Sequence, residues 1–343
     1  MQKKMKSNDK ICVIGAGSWG TALALLLSRK GYEVDLWGHR EEHVGHLLAD
    51  RENKRYLPGI IFPEKLHPQI NLEKAVIGAE IVVMVVPSHS YRTSFHQMIP
   101  FLEKKCRVVS AVKGIENSSL MTMTQVMEEV LAEQGGLEKN IEYGVLSGPS
   151  FAKEVANEVP TAVTIGFENL QTAKEIQMVF VTDFFRVYAS SDVIGLEISA
   201  ALKNIIAIAT GVCDGLGYGL NTRAALITRG LAEIQRLGIA LKADPLTFSG
   251  LSGIGDLMLT CTGDLSRNRM VGLKLGEGKN IDQIKREMSM VAEGIKTTRS
   301  VYDLAQRLQI EMPILEQVYN IIYKNKKCSD AVRDLLQREL KVE

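Results

Sequence analysis

Charge of one sign is the first thing this sequence lacks: 41 Lys and Arg stand against 40 Asp and Glu, a net +1. That balance gives no reason to expect nucleic acid or an anionic membrane surface as a partner. No apolar stretch approaches the roughly 20 residues of a membrane span, and the opening MQKKMKSND has no apolar core of the kind a secretory signal carries. A cytoplasmic protein without membrane insertion is the expectation. Cysteine is sparse too. Cys12, Cys106, Cys213, Cys261 and Cys328 are odd in number, widely scattered and without a C-x-x-C, so they read as reduced thiols. No His, Cys and carboxylate cluster occurs at ligand spacing, so no metal is expected. Internal repeats, low-complexity tracts and a Pro/Gly-rich linker are also missing. What is present is ample apolar material, 45% of 343 residues, enough for two cores.

The clearest pattern is near the N-terminus, in KICVIGAGSWGTALALLLSRKGYEVDLWGHRE. Ile11 to Ile14 reads as a buried strand, the run after it as a helix closing at Gly31, and YEVDLW as a second strand. Gly15, Gly17 and Gly20 fall on the G-x-G-x-x-G spacing between the first strand and the helix. The first glycine makes the turn, the second lets backbone approach a pyrophosphate, and the third lets helix and strand pack closely. The helix N-terminus then offers free N–H groups to phosphate. A purely structural strand–helix turn is the alternative. Further strand signals begin at Ile81, Arg107, Tyr143, Thr161 and Phe184, with helical stretches between most of them. This alternation implies a mainly parallel sheet covered on both faces. After Asp192 the strand signals stop, and a domain of helices alone is expected over 193–343, behind an α/β dinucleotide-binding domain over 1–192.

Four stretches place polar groups where a bland reading strains. Lys113 follows a strand at its carboxyl end, where open α/β sheets hold ligands, although a solvated lysine would also fit. In LSGPSFAKEVA, Gly148 and Ser150 flank Pro149, which reads as a first helical turn; the backbone N–H groups there could hold an anion or a carbonyl oxygen, and an ordinary helix cap is the alternative. Lys203 interrupts ISAALKNIIAIATG, a helix apolar on nearly every face. A buried ammonium must pair with a carboxylate, face a cleft or lose its proton, and a structural salt bridge to Glu197 or Asp256 stays open beside an acid/base role. The fourth is SGLSGIGDLMLTCTGDLSRNRMVG, where glycines precede Asp256 and SRNR clusters groups suited to phosphate or carboxylate capture; solvated surface is the alternative.

GAGSWGTALA, SGPSFAKEVA, LKNIIAIATG, GLSGIGDLMLTCTG with SRNR, and VAEGIKTT together resemble, in order and across essentially the whole chain, the motif set of bacterial NAD(P)-dependent glycerol-3-phosphate dehydrogenases. The resemblance implies an N-terminal Rossmann-type domain, an all-α C-terminal domain similar to that of 6-phosphogluconate dehydrogenase, and a cytoplasmic homodimer. It implies reduction of dihydroxyacetone phosphate to sn-glycerol 3-phosphate, the precursor of membrane phospholipids. Ser18, Trp19, His39 and Arg40 match cofactor contacts, as do Ala152, Val291 and Glu293. Lys113, Gly148, Ser150, Asp256, Ser266, Arg267 and Asn268 match substrate contacts, with Lys113 and Arg267 also near the cofactor. Lys203 matches the proton acceptor, assisted by Lys113 and Asp256.

An acid at the end of the second Rossmann strand binds the ribose 2′-hydroxyl of NAD, whereas an Arg accommodates a 2′-phosphate. DLWGHRE ends in His39 and Arg40, so NADPH is expected as cofactor, with NADH also accepted. Two rival readings remain: another dehydrogenase of the same architecture acting on a β-hydroxyacid or 6-phosphogluconate, and a nucleotide-sensing module without catalysis.

Overall fold

The computed structural model describes residues 9–288, 292–340 and 342. The chain forms two compact units. The first runs through Val112 and resumes over Met123–Val193; the second joins Lys113–Thr122 to the chain from Ile194 onward.

The first unit contains β1 (Lys10–Ile14), β2 (Glu33–Trp37), β3 (Glu52–Asn53), β4 (Leu57–Ile61), β5 (Leu66–Gln69), β6 (Ile81–Met84), β7 (Arg107–Ser110), β8 (Glu142–Ser147), β9 (Thr161–Phe167) and β10 (Phe185–Ser190). Eight of them form one sheet in the order β10-β9-β8-β7-β6-β1-β2-β5. Every pairing is parallel except β8 with β9. β1 and β6 are buried along nearly their whole length, which is why they read as continuous β-branched runs. The chain leaves β1 toward β2 and β5 on one side, then crosses to β6 on the other. This reversal lies directly beyond Ile14, which pairs with both Trp37 and Met84. Such a switch point opens a crevice at the carboxyl ends of the strands, and Gly15 is the first residue into it.

Two features of this unit had no strand signal. β5 has the sequence LHPQ, lacking β-branched residues, and a proline is tolerated there because β5 is an edge strand. β3 and β4 form a separate antiparallel hairpin. Pro149 also falls differently from its expected place in a first helical turn. The five-residue helix Ala152–Ala156 starts later, behind Phe151 at its N-cap.

The second unit is helical. Its central helix, Val193–Gly215, buries every residue from Gly195 to Cys213. Its most apolar window has a mean hydropathy of 1.6, long and apolar enough to cross a membrane, which corrects the expectation that no stretch approaches that size. The physical reason is position, since a helix at the centre of a helical unit is apolar all round. Of that window 94% is buried within the protein.

Lys113–Thr122 joins the second unit although it interrupts the sequence of the first. Ile115, 1% exposed, is part of the helical unit's core. The Ser300 hydroxyl donates to Ile115 O at 3.3 Å and also bonds the Asn117 side chain. Anchored this way, the segment carries Lys113 into the helical unit.

Candidate active site

Three sequence-nominated residues meet in one hydrogen-bonded cluster of the second unit. Lys203 projects from the middle of Val193–Gly215, and Asp256 begins the helix Asp256–Thr262. Just ahead of Asp256 the backbone over Leu251–Gly255 is kinked at Gly253, whose φ of −82° and ψ of −106° are not helical, an irregularity that the glycine run permits. Lys203 Nζ donates to Asp256 Oδ1 at 2.5 Å, and Lys113 Nζ to Asp256 Oδ2 at 2.8 Å. The side chains of Lys203 and Asp256 are 6% and 1% exposed, that of Lys113 17%. One carboxylate therefore bridges two ammonium groups.

The electrostatics follow from that arrangement. Burial pushes the Lys203 ammonium down from its ordinary range to about 7; Asp256 opposes the shift and the charge of Lys113 reinforces it. For Asp256, burial pushes the pKa up, but Lys113 and Lys203 together outweigh it and hold the carboxyl below its usual range. The aspartate is thus a fixed anion, and Lys203 is a group able to gain and lose a proton near neutral pH.

A second convergence lies in the same unit. Ser266 caps the helix Arg267–Gly276, its Oγ accepting from Arg269 N at 3.2 Å. Asn268, 9% exposed, accepts with Oδ1 from Gly294 N at 3.0 Å, in the first turn of the helix Glu293–Arg307. That bond, between residues 26 apart in sequence, ties the SRNR motif to Gly294. It also fixes the amide orientation. With Oδ1 occupied, Nδ2 keeps its donors, the polarity a phosphate oxygen requires. Arg267 is exposed beside it.

In the first unit the glycine turn is tied to the end of β2. Ser18 Oγ donates to Tyr56 O at 2.7 Å, and Arg40 Nη2 donates to the Tyr56 hydroxyl. Arg55 lies 5.3 Å from the centre of the Tyr56 ring, and His43 meets that ring edge-on at 5.1 Å. His39 and Arg40 are exposed. The one acid within the last three residues of β2, Asp35, is already paired with Lys10 at 2.9 Å. Gly148, Ser150 and Ala152 follow β8; Ser150 Oγ donates to Gly148 O at 3.0 Å, and the helix from Ala152 packs on Ser18–Arg29. Val291 lies outside the described residues.

Sequence comparison decides the family. A profile for the NAD-dependent glycerol-3-phosphate dehydrogenase N-terminus matches residues 10–173, and one for the C-terminus of the same family matches 192–333. A relative from Desulfotalea psychrophila named glycerol-3-phosphate dehydrogenase [NAD(P)+] is 64% identical over 97% of this chain and 98% of its own. One of the same name from Syntrophobacter fumaroxidans is 52% identical over 99% and 98%. The crystal structure of glycerol-3-phosphate dehydrogenase from Coxiella burnetii superposes with a TM-score of 0.92 at 40% identity, covering 97% of this chain and all of that one. The chain belongs to the NAD-dependent glycerol-3-phosphate dehydrogenase family.

Membership in a nicotinamide-dependent family requires that the glycine turn accept a dinucleotide, and the turn fits one. Gly15 has φ +120°, and a Cβ there would approach Val85 O to 2.5 Å; a Cβ on Gly20 would collide with Gly15 O. Those two glycines serve the turn and the helix–strand contact. Gly17 is different. Nothing lies within 4 Å of a Cβ built on it, so its open side suits a close-approaching pyrophosphate. Gly17 also caps Ser18–Arg29 without a side-chain bond, so no capping side chain stands between the helix N-terminus and a phosphate. The buried Trp19 Nε1 has no hydrogen-bond partner among the described residues, as expected of a donor meant for a ligand.

Three residues escaped the sequence reading. Thr260 accepts from Lys203 Nζ at 2.8 Å and donates to Asp256 O at 2.6 Å, one turn along from the aspartate. Its place four residues after Asp256 is a usable signal in hindsight. Tyr56 and Arg55 sit between β3 and β4, a hairpin that no motif announced.

Proposed function

We propose that this chain reduces dihydroxyacetone phosphate to sn-glycerol 3-phosphate with NADPH, accepting NADH as well, in a reversible reaction that supplies glycerophospholipid synthesis. The observation that carries the reading is the Lys113–Asp256–Lys203 cluster within a chain of this family. When bound, the reduced nicotinamide supplies the hydride that turns the C2 carbonyl into an alkoxide. Lys203 supplies the proton. Its ammonium, poised at about pH 7, donates Nζ–H to the C2 oxygen and is left as a neutral amine that regains a proton from water. In oxidation the neutral amine takes the C2 hydroxyl proton.

Asp256 remains ionised in both directions and holds the two lysines in place. Lys113 adds a second positive charge that favours the alkoxide-like transition state. Ser266, Arg267 and Asn268 take the phosphate, and Gly148 and Ser150 are further substrate contacts by resemblance. Ser18, Trp19, His39 and Arg40 hold the cofactor, with Ala152, Arg267, Glu293 and Val291 assigned to it on the same basis. The reading includes a cytoplasmic homodimer. Five free thiols, four of them buried, agree with a reducing compartment.

The direct test is oxidation of NADPH by the purified protein with dihydroxyacetone phosphate, beside β-keto acids and a no-substrate control. Turnover confined to dihydroxyacetone phosphate supports the proposal. Turnover of a β-keto acid instead would move the chain to another substrate class, and cofactor binding without turnover would leave only a sensing module.

Cofactor choice gives a separate expectation. Arg40 stands exposed where a 2′-phosphate would arrive, and Asp35 is committed to Lys10. Arg40→Ala should raise the KM for NADPH about 10- to 100-fold, the loss of one charge-assisted contact, and change that for NADH little. Equal weakening of both cofactors would remove Arg40 from the phosphate.

A further inference from the structure

The second guanidinium of SRNR does not behave as a ligand group. Arg269 Nε donates to Asp214 Oδ2 at 2.9 Å, and its Nη1 to Asp264 Oδ1 at 3.0 Å. Asp214 also receives Arg223, whose Nη2 and Nε reach Oδ1 at 2.7 and 3.2 Å. The Asp214 side chain is 8% exposed and Arg269's is 14%, whereas Asp264 is 95% exposed. The contact with Asp214 is therefore the shielded one, and the pair with Asp264 is a solvated surface contact.

Asp214 stands near the end of Val193–Gly215, eleven residues after Lys203. At about 100° per residue, eleven residues bring it within about 20° of Lys203 around the helix. The same two helices meet backbone to backbone. A Cβ on Gly211 would collide with Arg269 O, and one on Gly272 with Ile208 O. Close approach sets the spacing of the helices, and the directional Asp214–Arg269 bond sets where the first turn of Arg267–Gly276 lies along the lysine helix. Arg269 is also the residue whose backbone N–H meets the Ser266 hydroxyl.

We propose that Asp214, acting through Arg269 and supported by Arg223, is a positioning residue for phosphate recognition: it holds Ser266, Arg267 and Asn268 at a set distance from the proton-transferring Lys203. The proposal rests on the reading that these three residues bind the substrate phosphate. Asp214 touches neither substrate nor cofactor in this scheme. Its removal leaves Lys203, Asp256 and Lys113 intact and loosens the phosphate-binding turn, so the main loss is in substrate binding, with a smaller one in the chemical step.

The experiment compares steady-state kinetics and thermal unfolding of Asp214→Asn, Arg269→Met, Arg269→Lys, Asp264→Ala and Arg267→Ala. Asp214→Asn and Arg269→Met should each raise the KM for dihydroxyacetone phosphate about 10- to 100-fold, the scale of weakening one charge-assisted contact to the phosphate. Their kcat should stay within about threefold of the parent, and their KM for NADPH should move less than their KM for dihydroxyacetone phosphate, because of the groups on that turn only Arg267 is also assigned to the cofactor. Arg269→Lys should recover part of the loss because it keeps the charge, and Asp264→Ala should match the parent. Arg267→Ala tests the underlying reading. If it leaves the KM for dihydroxyacetone phosphate unchanged, the phosphate site lies elsewhere and both ideas fall. If Arg267→Ala raises that KM while folded Asp214→Asn and Arg269→Met do not, the reading stands and the positioning role is overturned. Parallel losses of kcat, cofactor affinity and melting temperature in Asp214→Asn and Arg269→Met would also overturn it, in favour of a purely structural ion pair. Should Asp214→Asn fail to fold, the Arg269 pair of variants decides by the same readings.

Discussion

Lys203→Met should fold, bind cofactor and lose about 10² to 10⁴ in kcat, the usual contribution of a positioned acid or base. Methionine keeps most of the volume and the apolar stem, so the central helix loses little packing while the titrating nitrogen is gone. The pH dependence of the unsubstituted protein checks the same assignment. The Lys203 pKa is lowered to about 7, chiefly by burial, so the ammonium dominates below that pH and the amine above it. Reduction consumes the ammonium; its kcat/KM should be level below about pH 7 and fall about tenfold per pH unit above it. Oxidation consumes the amine and should show the opposite limb, rising to a plateau above about pH 7. Lys113→Met should cost less, because that lysine acts through its charge. A folded Lys203→Met protein with near-parental kcat would return Lys203 to a structural ion pair and leave Lys113 as the better proton donor.

Asp256→Asn should be the most damaging isosteric change in the cluster. The carboxylate is 1% exposed and is the anion facing both Lys113 and Lys203, so its loss leaves two cations in one shielded site. Breaking a buried pair in this way costs about 3–5 kcal/mol, less to the extent that Lys203 sheds its proton. Shedding it is the functional harm. Asp256 is what holds the Lys203 pKa up against burial and Lys113, so the variant should push that pKa below its present value of about 7. At pH 7.5 the reductive kcat should fall by at least about 10², and the break in the pH profile should move to lower pH. Calorimetry and a reductive pH series measure the two effects. An unmoved break would show that Asp256 does not set the protonation of Lys203.

Much of the site was legible because its chemistry conflicts with its surroundings. Lys203 stood out as a charge in an apolar helix, and three glycines at fixed spacing between a strand and a helix are a local pattern with a local cause. Ser266 was visible as a hydroxyl of the SRNR cluster, whereas its capping of the helix at Arg267 went unread although it is a matter of adjacent residues. Arg269 was visible but misread. In the sequence it is the second guanidinium of an anion-binding cluster, and in the fold it belongs to Asp214, 55 residues away.

Residue order alone determined the alternation of strands and helices in the first half, the helices of the second, the glycine turn, and the need for Lys203 to find a partner or lose its proton. These depend on periodicity, backbone sterics and desolvation, which act on neighbouring residues. Only the tertiary structure decided which partner that was. Asp256 lies 53 residues from Lys203 and 143 from Lys113, and the second of these bonds forms because the Lys113–Thr122 segment leaves the sequence of the first unit and seats Ile115 in the helical core. Tertiary structure likewise decided that Tyr56 ties Arg40 to Ser18, and that the Asn268 side-chain oxygen accepts from Gly294 N. Hydrogen bonds between distant residues carry no periodic trace in a sequence, and they exist only after burial has brought their partners together.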